Sequence, residues 1–111
     1  MAVGVDDVSL CAAVNAIIGA QGGIAAADGA GEVRVLPLPI AGLMSQLDGY
    51  TLAAEYARLD AWAKQSLGCA LRAPFMVLSF LALPVIPKLK MTDLGLFDVE
   101  RFGFVSVVGG E

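Results

Sequence analysis

The chain has 111 residues, one domain's length, with a net charge of −4 and a composition that is 58% hydrophobic and only 16% charged. An ordinary domain holds about 45–50% apolar and about 25% charged residues, so the surplus means a tightly packed core or apolar surface that another domain or subunit covers. Seven Lys and Arg, scattered along the sequence, make neither the cationic stripe that nucleic acid binding needs nor a basic cluster for a membrane surface.

Met1 to Asp7 lacks the positively charged start of a signal peptide, which predicts a cytoplasmic chain. Ala2 to Val5 reads as a short strand or the tail of a linker. Asp6 or Asp7 offers an N-cap, and Leu10, Val14, Ile17 and Ile18 then fall on one helical face, with Cys11 beside them. Gly22-Gly23 stops that helix. Ile24 to Ala27 and Glu32 to Leu36 flank Asp28-Gly29-Ala30-Gly31 and read as a β-hairpin. Val33 and Val35 alternate with Glu32 and Arg34, which predicts one solvated face on the second strand. Pro37 and Pro39 end it, because proline cannot donate to a ladder.

Leu38 to Gly49 is a loop rich in Pro, Gly and Met. Thr51 to Leu67 is the clearest helix, with Leu52, Tyr56, Leu59 and Ala63 as its apolar stripe, Trp62 flanking it and Gly68 as its stop. Ala73 to Ile86 is the longest apolar run. A membrane helix needs about 20 residues, so the run is expected to be a buried core segment, strand or helix. Lys88 to Arg101 is mixed, with Gly95 as a break. Phe102, Phe104, Val105, Val107 and Val108 predict a last strand, and Gly109-Gly110-Glu111 should fray. The expected class is mixed α/β: a single domain with one small mixed sheet and helices packed on it.

There is no histidine. A His general base, a Ser–His or Cys–His nucleophile pair and a His-ligated metal site are therefore excluded on this chain. The acids Asp6, Asp7, Asp93, Asp98 and Glu100 lack calcium-loop spacing and read as a solvated edge. Gly19-Ala20-Gln21-Gly22-Gly23 follows a helix instead of opening one, so it is a stop and not a phosphate loop. Ser45, Ser79 and Thr92 have no evident base. Cys11 and Cys69 form no C-x-x-C pair and are expected as buried reduced thiols. Trp62 and Tyr56 read as core. No catalytic, metal-ligating or cofactor-binding residue is assigned on the chain.

Three stretches carry a resemblance when read together: Gly22-Gly23-Ile24; Leu36-Pro37-Leu38-Pro39-Ile40-Ala41-Gly42-Leu43-Met44-Ser45; and Pro74-Phe75-Met76-Val77-Leu78-Ser79-Phe80-Leu81-Ala82-Leu83-Pro84-Val85-Ile86-Pro87-Lys88-Leu89-Lys90-Met91-Thr92-Asp93 followed by Gly95-Leu96-Phe97-Asp98-Val99. With Ala12-Ala13-Val14-Asn15, they closely resemble the C-terminal domain of microbial adenine deaminases over roughly residues 2 to 105. The resemblance implies the amidohydrolase superfamily, a purine-salvage hydrolase, and conversion of adenine to hypoxanthine and ammonia by a metal-activated hydroxide. It also implies a (β/α)8 barrel before this domain that carries the His and Asp ligands for manganese or iron.

No position in this chain matches a catalytic motif of that barrel. The resemblance thus implies a structural domain beside a barrel, met here as a fragment, a split gene product or a shortened reading frame. The alternative is a standalone oligomeric module descended from that domain, binding a small molecule or a protein; an independent enzyme is the third reading. In the first two, the apolar loop Leu38, Pro39, Ile40, Gly42, Leu43, Met44 and Ser45 is the candidate interdomain or subunit contact, set against a loop packed within its own domain.

Overall fold

A computed structural model of the protein describes residues 1–108, so the expectation for Gly109, Gly110 and Glu111 lies outside the described residues. The class is mixed α/β, as expected, but the strands divide between two antiparallel sheets, of two and three strands, instead of sharing one. The chain separates into two compact units, Ala2–Phe75 and the stretch from Met76 together with Met1.

In the first unit, Ala2 to Val5 forms no strand, and helix α1 (Asp7–Gly19) begins on Asp6. The Asp6 carboxylate accepts from the Ser9 amide at 2.8 Å and from the Ser9 hydroxyl at 3.0 Å. This satisfies a donor that the first helical turn leaves without a partner. The Ser9 amide bond is the main reason that the Asp6 carboxyl sits below its ordinary pKa. Leu10, Val14 and Ile17 are half-buried, while Ile18 points to solvent at 68% exposure. The helix ends as Gln21 turns left-handed (φ 58°) and the Gly22 amide closes on the Ile17 carbonyl at 3.0 Å.

Strands β1 (Gly23–Ala27) and β2 (Val33–Pro37) form the hairpin, in register from Gly23 opposite Pro37 to Ala27 opposite Val33. Asp28 organises the turn by accepting the amides of Ala30 and Glu32. Gly23 (φ +144°) could carry no side chain, since a Cβ would lie 2.3 Å from the Leu36 carbonyl oxygen.

Helix α2 (Gly49–Ser66) starts on Asp48, whose carboxylate accepts the amides of Tyr50 and Thr51 and, at 2.5 Å, the Thr51 hydroxyl. That hydroxyl bond is the chief cause of the lowered Asp48 pKa. The helix ends with Gly68 left-handed (φ 66°) and the Cys69 amide returning to the Ala63 carbonyl. Its stripe is the one expected. Leu59 and Trp62 join Ala26 and Leu36 in the core, with Ile24, Leu52, Tyr56 and Phe75 packed around them. Burying Leu36 and Leu59 contributes about 1.5–3 kcal/mol each. The solvated strand face holds at Glu32 and Arg34, both exposed, and ends at Leu36, which shares their face but is buried; the Arg34 guanidinium lies 4.7 Å from the centre of the Trp62 ring.

Helix α3 (Pro74–Leu81) belongs to the first unit at Pro74 and Phe75 and to the second from Met76. The expectation that Ala73 to Ile86 is a buried core segment is overturned. Pro74 is buried, but Met76 is 51%, Phe80 54% and Val85 65% exposed.

In the second unit, β3 (Leu89–Thr92), β4 (Gly95–Asp98) and β5 (Gly103–Val105) form a meander in the order β3-β4-β5. The predicted last strand is thus limited to three residues, and Val107 and Val108 lie beyond it. Phe97 stands edge-on to both Phe102 and Phe104, with ring centres 5.4 Å apart in each pair. Both cysteines are free; Cys11 is exposed and Cys69 half-buried, which corrects their expected burial.

Candidate docking site

The loop after β2 is held at its base by backbone. The Leu38 amide donates to the Gly22 carbonyl at 3.1 Å. A Cβ on Gly22 would come within 2.6 Å of the Gly42 Cα, so this glycine is what lets the loop turn back onto the hairpin's root. Beyond Pro39 the chain makes a miniature hairpin. Ile40 bridges Met44, the Leu43 and Met44 amides donate to the Ile40 carbonyl, and Ala41 (φ 56°) and Gly42 (φ 73°) take left-handed conformations at its tip. Two successive left-handed residues match the twist that a tight two-stranded turn requires. The Ser45 hydroxyl then accepts the Leu47 amide at 3.1 Å, which fixes the exit toward α2.

The predicted contact residues are thus brought together on one strap. Leu38, Gly42 and Ser45 are half-buried, and Pro39, Ile40, Leu43 and Met44 are exposed, Leu43 to 77% and Met44 to 57%. The reading in which this loop packs within its own domain fails on those exposures. Leu47, 48% exposed, extends the apolar surface. It stands next to the strap with no helical stripe to join, and that was the available signal for it. The strap carries no acid or base, and its one hydroxyl, Ser45, is engaged with the Leu47 amide. What it can do is present apolar side chains on a backbone already fixed for contact, so that little conformational entropy is lost on docking.

Among the described residues, no three His, Cys, Asp or Glu side chains converge so as to hold a metal ion. No helix among them is long and apolar enough to cross a membrane.

The adenine deaminase C-terminal domain family matches residues 1–103. The adenine deaminase of Archaeoglobus fulgidus is 54% identical over 106 residues, which cover 95% of this chain and 18% of that protein. Those of Salinibacter ruber and Sulfurovum sp. are 53% and 51% identical, over 96% of this chain and 19% and 20% of their own lengths. No solved structure matches the chain. The chain spans about a fifth of the length of the curated relatives it matches, and it belongs to the adenine deaminase C-terminal domain family.

Proposed function

We propose that residues 1–111 are the non-catalytic C-terminal domain of a cytoplasmic adenine deaminase, which hydrolyses adenine to hypoxanthine and ammonia. The observation that carries this reading is the match itself, confined to about a fifth of each adenine deaminase and covering nearly all of this chain. A sequence without histidine fits a part that leaves metal binding and proton transfer to the rest of the enzyme. The manganese or iron of such an enzyme would be held outside this chain, and no step of the reaction is routed through the residues described here.

The domain's contribution is contact. The strap from Leu38 to Ser45 packs against the catalytic barrel, where covering Leu43 and Met44 would supply about 1.5–3 kcal/mol each. The test is ammonia release from adenine with manganese or ferrous iron. It is run on this chain, on an adenine deaminase lacking the matching C-terminal fifth, and on the two together. Activity only in the mixture is the expected result, and activity from this chain alone would overturn the reading. Leu43→Asp in the mixture should lower the activity while leaving the chain's own stability within about 0.5 kcal/mol, because the side chain is exposed.

A further inference from the structure

We infer that the free edge of β3 is a second docking site, and that its occupant is an extended, apolar segment from the part of an adenine deaminase outside this domain. The inference rests on the function proposed above and concerns a different surface from the strap. Strand β3 is an edge strand, paired only with β4. The Val99 amide donates to the Lys88 carbonyl at 3.0 Å, and the same register sets Lys90 opposite Phe97. In an antiparallel ladder the hydrogen-bonding residues alternate. The backbones of Lys88 and Lys90 therefore face β4, and those of Leu89 and Met91 face outward, each offering an N–H and a C=O.

The residues that offer these groups, Leu89 and Met91, also line an open, mainly apolar trough of about 410 Å³. It is lined by Met1, Leu81, Ala82, Leu89, Lys90 and Met91. Leu89 is 54% and Met91 69% exposed. An unpaired strand edge beside exposed apolar side chains is the arrangement to which an extended segment adds as a further strand, with backbone bonds giving affinity and alternate side chains filling the trough.

The length of chain outside the domain identifies the occupant. About four-fifths of each matched adenine deaminase lies outside the matched span. The family match begins at residue 1, and Met1 itself lines the trough. A second copy of this chain fits less well. Pairing β3 with itself about Lys90 would set two ammonium groups directly opposite, which is destabilising.

The test is hydrogen–deuterium exchange of the peptide spanning residues 88–93 in this chain, compared with the matching peptide of the full-length Archaeoglobus fulgidus adenine deaminase. The expected result is exchange at the Leu89 and Met91 positions at least about tenfold slower in the full-length enzyme. Equally fast exchange in both would overturn the inference. So would slow exchange in both accompanied by dimerisation of this chain in sedimentation, which would assign the edge to a second copy. Ammonia release by the mixture described above reports on the proposed function and exchange reports on the edge, so either can fail without the other.

Discussion

Residues 2–75 and residues 76–108 have similar apolar content and opposite means of holding together. The first stretch closes a hairpin over a helix and buries Ala26, Leu36, Leu59 and Trp62 in one cluster. The second has a three-stranded meander and a ring contact among Phe97, Phe102 and Phe104, yet from Met76 to Val108 no described residue is buried. Three short strands that bury no residue gain little of the apolar burial on which stability rests. The difference teaches that apolar composition measures how much burial a chain needs, not whether the chain supplies it.

The largest test of that contrast is Trp62→Ala, which removes the centre of the one cluster. It should cost about 3–5 kcal/mol, enough to abolish the cooperative thermal transition in far-ultraviolet circular dichroism. Phe97→Ala removes both edge-on ring pairs and should cost about 1–3 kcal/mol. Amide exchange across β4 and β5 should quicken while that of β1 and β2 is unchanged. Quickening in all four strands would mean that the two stretches unfold as one, and the comparison would be broken. Arg34→Ala lifts the guanidinium from the Trp62 ring and should lower the urea midpoint by the equivalent of about 0.5–1 kcal/mol.

The smallest effect is the pH dependence of the helix caps. Asp48 is held below its ordinary value of 3.8 by the Thr51 hydroxyl and amide, and Asp6 likewise by Ser9. A carboxyl whose folded pKa is depressed contributes stability that is present above the unfolded value and lost as pH falls through the folded one. The thermal midpoint should therefore decline as pH drops below 3.8, and Asp48→Asn, which keeps a capping oxygen without its titration, should make that decline shallower.

Local chemistry made much of residues 2–75 legible. Asp6 as a cap, the Asp28–Gly31 turn and the Leu52–Tyr56–Leu59–Ala63 stripe are decided by neighbours within a few positions, whereas the Asp48 cap, which starts α2 before the expected Thr51, was not read. The strap was legible for the same reason, since prolines and glycines restrict the backbone wherever they stand. Ala73 to Ile86 was not, because its apolar run says only that it avoids water and not which surface covers it. The β3–β4 hairpin was missed although Leu89-Lys90-Met91-Thr92 alternates as a strand should. Its connection, Asp93-Leu94, lacks the Asn-Gly or Asp-Gly pair that signals a tight turn, and the signal came only from Gly95 (φ 129°) at the start of β4.

The sole tryptophan lies at the centre of the hairpin–helix core, beneath Arg34. Residues 76–108 contain phenylalanine but neither tyrosine nor tryptophan. The molecule therefore comes with two separate optical reporters. Indole emission follows the core, and four of the five phenylalanines, all but the core-packed Phe75, lie in residues 76–108, so the near-ultraviolet bands of phenylalanine report chiefly on that stretch in the same unlabelled sample.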